Sequence, residues 1–91
     1  MRVRVYATLR ELVNSKSVEL DVRRETDVRN VLRELGAAYP ALDAKLWDAN
    51  NGLSKSVQVL VNGRPIAFLN GLETAVSPGD TVDLFPPVGG G

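Results

Sequence analysis

Neither cysteine nor histidine occurs in the 91 residues. The first absence excludes disulfides, thiolate metal sites and thiol nucleophiles. The second removes the usual general base at neutral pH and the commonest metal ligand. A self-sufficient enzyme lacking both would have to work with Asp, Glu, Lys, Ser or a cofactor, and nothing along the chain is arranged that way. No metal and no bound cofactor are expected. Net charge is absent as well, because eleven basic residues balance eleven acidic ones. No global field therefore draws the chain to nucleic acid or to an anionic membrane. No apolar run approaches the ~20 residues that span a bilayer, and the opening residues lack the pattern of an export signal. A cytoplasmic location is expected. What is present, 44% apolar and 24% charged residues, suits one folded domain with one modest core.

The apolar pattern changes period along the chain. Val3, Val5, Ala7 and Leu9 alternate with Arg2, Arg4, Tyr6 and Thr8, the period of a half-buried strand. After the polar break Asn14-Ser15-Lys16-Ser17, a second alternation over Val18, Leu20 and Val22 completes a hairpin. Val28, Val31, Leu32, Leu35 and Tyr39 then follow helical spacing, with Thr26 as the expected N-cap and Asp27 in the first turn. Pro40 ends or interrupts that helix, and Ala41 to Trp47 allows a second short one. Ser56 to Val61 returns to strand, Asn62-Gly63 signals a tight turn, and Ser77-Pro78-Gly79-Asp80 leads into a last strand, Thr81 to Phe85. Residues 64–77 read as irregular, pinned to the core by Ile66, Phe68 and Leu72. The order β-β-α-(α)-β-β is economically solved by a mixed sheet with the helix across one face, its first and last strands parallel at the centre.

Residues 1–85 thus form the domain, and 86–91 form a tail. Pro86 and Pro87 favour an extended, stiff exit from the last strand. Val88 and the glycines Gly89, Gly90 and Gly91 follow, and a thread without side chains can enter a narrow channel. Six residues reach roughly 20 Å beyond the domain, far enough to place a terminal carboxylate in another protein's active site. A carboxylate becomes reactive once converted to an acyl-adenylate, which sulfur or an amine can then attack. A terminal glycine run alone more often reads as a frayed end; its position after Pro-Pro at the end of a strand favours the chemical device.

Three segments resemble the ubiquitin-like sulfur-carrier family, which includes the small subunit of molybdopterin synthase, the thiamine sulfur carrier and archaeal small modifier proteins. They are the opening strand Val3-Arg4-Val5-Tyr6-Ala7-Thr8-Leu9-Arg10-Glu11, the segment Val59-Leu60-Val61-Asn62-Gly63, and the closing run from Pro78-Gly79-Asp80 through Leu84-Phe85-Pro86-Pro87-Val88 to the final glycines. The resemblance implies an α+β, β-grasp (ubiquitin-like) fold with a mixed sheet of four to five strands and one main helix packed across it. It also implies a carrier rather than an enzyme. An adenylating enzyme would use ATP to activate Gly91, a sulfurtransferase would supply sulfur for a thiocarboxylate, and the large subunit of molybdopterin synthase would receive it. The alternatives are a modifier joined through Gly91 to lysines, or a sulfur carrier for tRNA thiolation, thiamine or cysteine. Three consecutive glycines, and a long loop from Asp43 to Ser54, depart from the compact molybdopterin synthase type.

Gly91 and Gly90 are the expected reactive pair. Tyr6, Leu60 and Phe85 occupy outward strand positions, and with neighbouring strands they would form an apolar docking patch. By resemblance that patch, with Pro86, Pro87, Val88 and Gly89, is where the partner binds; scattered surface positions are the alternative. Arg10 and Glu11 read as ordinary surface charges, with steering of an acidic or basic partner as the alternative, Trp47 as a core or rim anchor, and the lysines Lys16, Lys45 and Lys55 as solvated.

Overall fold

The structure, a computed structural model, describes residues 1–87. From the N-terminus the elements are β1 (Arg2–Val5), α1 (Arg10–Val13), β2 (Ser17–Glu19), β3 (Thr26–Asp27), α2 (Val28–Ala38), α3 (Pro40–Leu46), β4 (Gln58–Val61), β5 (Arg64–Pro65), β6 (Ala75–Val76) and β7 (Thr81–Phe85). Single 3-10 turns lie at Ala7–Leu9, Ile66–Phe68 and Gly71–Glu73.

Alternation does in β1 what the strand period demands: Val3 and Val5 are fully buried, and Arg2 and Arg4 are exposed. The main sheet has the order β2-β1-β7-β4-β5. Its β1–β7 pair is parallel, from Arg2 opposite Thr81 to Val5 opposite Leu84, and its other pairs are antiparallel. The first and last strands therefore meet in the interior of the sheet, as the order of elements predicts. Across the inner face lies α2, whose Val28, Val31, Leu32 and Leu35 are fully buried with Val3, Val5, Val82 and Leu84. This is the β-grasp arrangement, with a mixed sheet of five strands. The buried core is entirely Val, Leu and Ile. All five aromatic side chains stay outside it, half-buried or exposed. Among the described residues, no helix is long and apolar enough to cross a membrane.

Several local expectations are corrected. The first strand stops at Val5 rather than Leu9, because Ala7 takes a left-handed conformation (φ 53°) and turns the chain into α1. The N-cap of α2 is Asp27, whose Oδ1 accepts the Asn30 amide at 2.9 Å, not Thr26. Pro40 starts α3 as its first residue, where a missing amide hydrogen costs nothing. Residues 64–77 are not irregular. They hold β5, two 3-10 turns and β6, which pairs with β3 in a separate two-stranded ribbon. Phe68 does not pin this segment to the core; it is 84% exposed, whereas Ile66 is buried.

Two turns fix the end of the molecule away from the tail. Asn62 and Gly63 both have positive φ (50° and 83°), the two-residue hairpin turn their sequence signals. Asp80 accepts the Ser77 amide at 2.8 Å and the Asn62 side-chain amide at 3.0 Å. Those bonds hold its carboxyl below the usual range, the Ser77 amide first.

Candidate functional site

The C-terminal end of β7 is the natural place to look, since the tail leaves from it. Tyr6 continues β1 in extended conformation, and its amide donates to the Leu84 carbonyl at 3.1 Å. That register sets Tyr6 beside Phe85, and the two rings stack with centroids 4.1 Å apart and planes within 6°. Arg10, from the first turn of α1, lies with its guanidinium 5.4 Å from the Tyr6 ring centroid. Its Nε donates to the Val5 carbonyl at 2.8 Å. Such a cation over a ring is attracted by the ring's negative face, so Arg10 holds the stack in place. The alternating pattern of the strand cannot reveal this role, because the turn at Ala7 is what brings Arg10 back over Tyr6.

Leu60, the third residue of the expected patch, sits opposite Asp83 on β4, one pleat away from Phe85. It is half-buried, as are Tyr6 and Phe85. Between the aromatic pair and the rest of the face lies an ion pair that the sequence does not announce. Arg4 Nε donates to Asp83 Oδ1 at 2.7 Å and Nη2 to Oδ2 at 2.9 Å, a bidentate fork. Asp83 points to the outer face yet its side chain is only 6% exposed, whereas that of Arg4 is 47% exposed. Through these hydrogen bonds first and its charge second, Asp83 holds the Arg4 guanidinium more firmly protonated than usual. The outer face thus carries apolar Tyr6, Phe85 and Leu60 around a neutralised charge pair, a combination suited to protein contact.

Beyond Phe85, Pro86 is half-buried and Pro87 exposed. Both line an open groove with Thr8, Leu12, Ser56 and Lys45, and Glu11 lies on its rim. Val88, Gly89, Gly90 and Gly91, expected as the thread and the reactive end, lie outside the described residues. Among the described residues, no cluster of carboxylates suited to a metal ion forms.

The ThiS family matches residues 3–91. The chain belongs to that family. This ThiS-family chain is 41% identical over 91 residues to small archaeal modifier protein 3 of Haloferax volcanii, covering 100% of this chain and 98% of the relative. It is 35% identical over 63 residues to the sulfur carrier protein CysO of Mycobacterium tuberculosis, covering 67% and 68% of the two chains. The crystal structure of SAMP1 from Haloferax volcanii superposes with a TM-score of 0.84 at 33% identity, covering 99% of this chain and 97% of that one.

Proposed function

We propose that the chain is a carrier activated at the Gly91 carboxylate by an ATP-using partner enzyme, and that its cargo is sulfur. A carboxylate oxygen attacks the α-phosphorus of ATP and pyrophosphate leaves. Hydrosulfide then attacks the acyl carbon and AMP leaves, or a persulfide attacks and a second thiol cleaves the resulting acyl disulfide; either way the thiocarboxylate carries the sulfur to an acceptor. The chain contributes no acid or base to these steps; it docks, and it delivers the end of its tail. The sulfur recipient we assign is the large subunit of molybdopterin synthase. The observation that carries the reading is the tail itself, Pro-Pro-Val-Gly-Gly-Gly, leaving an interior sheet strand beside the Tyr6–Phe85 stack. A rigid, recognisable surface at the root of a narrow thread is what a partner with a buried active site requires.

The full-length likeness to a small archaeal modifier favours a second reading, in which a lysine amine takes the place of sulfur and Gly91 ends in an isopeptide. Both begin with the same adenylate. Mass spectrometry separates them: one oxygen replaced by sulfur on the isolated chain marks the carrier, and lysines of other proteins joined by an isopeptide to the C-terminal peptide ending at Gly91 mark the modifier.

Deleting Gly90 and Gly91 together, or replacing Gly90 with valine, is expected to abolish adenylate-dependent sulfur transfer while leaving the urea unfolding midpoint unchanged. Sulfur transfer at the wild-type rate by either variant would sink the proposal.

A further inference from the structure

The chain has three lysines, and the topology gathers all of them at the end from which the tail emerges. The Lys16 carbonyl accepts the Val5 amide at 2.9 Å, which fixes Lys16 beside the end of β1. Lys45 lines the groove with Pro86 and Pro87. Lys55 precedes Ser56, another wall of that groove, in the turn entering β4, whose first residue Gln58 faces Phe85. Arg10 lies over Tyr6 at the same end. Among the described residues, the groove that holds Lys45 has one carboxylate in its lining, Glu11, in a chain whose formal charges sum to zero. Two other acids near in sequence, both still charged, accept hydrogen bonds from within the fold. Asp43 accepts the Trp47 indole N–H at 3.0 Å, and Asp48 accepts the amides of Asn50 and Gly52 at 2.8 and 2.9 Å. The three lysines are exposed, and among the described residues the ion pairs are made by arginines and the N-terminus.

We propose that Lys16, Lys45, Lys55 and Arg10 form a cationic collar around the tail exit that docks on an acidic rim surrounding the partner enzyme's channel. This rests on the reading of the chain as a carrier adenylated at Gly91. Four residues beyond Pro87 reach about 13 Å, so charges at the root of the tail lie at the mouth of such a channel while Gly91 lies within it. A strongly hydrated ammonium on a flexible stem suits steering and rim contact more than buried recognition. Complementary charge at that range raises the rate of productive encounter and aligns the thread with its opening. The zero net charge keeps this attraction local to one end, so that it orients the molecule as well as drawing it in.

The test uses the full-length chain and the purified adenylating enzyme of the same organism, with pyrophosphate release measured at rising sodium chloride. The triple variant Lys16→Gln, Lys45→Gln, Lys55→Gln is expected to lower kcat/KM about tenfold to a hundredfold at low salt. The loss should fall on KM with kcat unchanged, and the salt dependence of the wild type should flatten. Glu11→Gln should move KM the other way. A matched variant, Arg24→Gln, Arg33→Gln, Arg64→Gln, removes the same charge from exposed sites elsewhere and should leave KM near wild type; surface changes of this kind leave folding nearly intact, which circular dichroism checks. An equal loss in the arginine variant overturns the collar in favour of a net-charge effect. A lysine variant that matches the wild type while the wild type is adenylated overturns the collar alone. Lysine-dependent binding of a DNA or RNA oligonucleotide at physiological salt overturns the assignment to a protein rim. A wild-type chain that the enzyme does not adenylate overturns the carrier reading together with the collar.

Discussion

Asp83 shows how one residue can serve both the sheet and its surface. A carboxylate so little exposed in the middle of a strand face would lose its water for nothing if left alone. The bidentate fork from Arg4 satisfies both of its oxygens. Arg4 in turn keeps part of its guanidinium in solvent, so the pair is anchored on one side and screened on the other. Replacing Arg4 with methionine should therefore lower the urea midpoint, because the carboxylate stays behind without a partner. Adding Asp83→Leu should recover much of that loss, and a double-mutant cycle of urea midpoints checks both outcomes. The alternation of β7 assigns Asp83 to the outer face correctly. What alternation cannot supply is its partner, since Arg4 lies 79 residues away in the sequence.

At the scale of elements, α2 and α3 pack closely at their corner. Gly36 is buried on α2, and a Cβ placed there would land on the Asp43 carboxylate of α3. Asp43 cannot yield freely, because its Oδ1 holds the Trp47 indole at 3.0 Å. Gly36→Ala is expected to cost about 1–3 kcal/mol as overpacking, despite alanine's better helix propensity, and to shift the Trp47 fluorescence. Asp43→Ala in the same chain should restore part of the stability by making room, with urea denaturation as the measure. Long periodic segments are where the elements were legible in advance: α2 from Val28, Val31, Leu32 and Leu35, β1 and β4 from their valines, and β7 from Val82 and Leu84. The short pieces were not. Two-residue strands such as β3 and β6 exist through pairing with each other, Thr26 opposite Val76 and Asp27 opposite Ala75, and a pair too short to show a period leaves no local trace. Phe68 misleads for a related reason. Its hydrophobicity suggests burial, but the 3-10 turn directs Ile66 inward and leaves Phe68 in solvent.

Across the whole molecule, the division of labour is between an aliphatic interior and an aromatic exterior. The core needs no aromatic ring, so Tyr6 and Phe85 are free to serve as contact surface. Replacing both with serine is expected to weaken binding to the adenylating partner by at least tenfold in Kd, as loss of aromatic anchors does. The accompanying loss of stability should be modest, about 0.5–1.5 kcal/mol for the stack; calorimetric titration and urea denaturation report the two separately. This patch was legible as three outward positions, while the organising role of Arg10 emerges only in three dimensions. The parallel β1–β7 seam has one more consequence. β1 ends at Val5 and β7 begins only at Thr81, yet each is the other's neighbour in the interior of the sheet. The long loop that must close before the seam forms makes this a late contact in folding. A chain interrupted before Thr81 lacks the strand between β1 and β4, so it is expected to give an unfolded fragment by circular dichroism rather than a folded decoy that occupies partners with nothing to deliver.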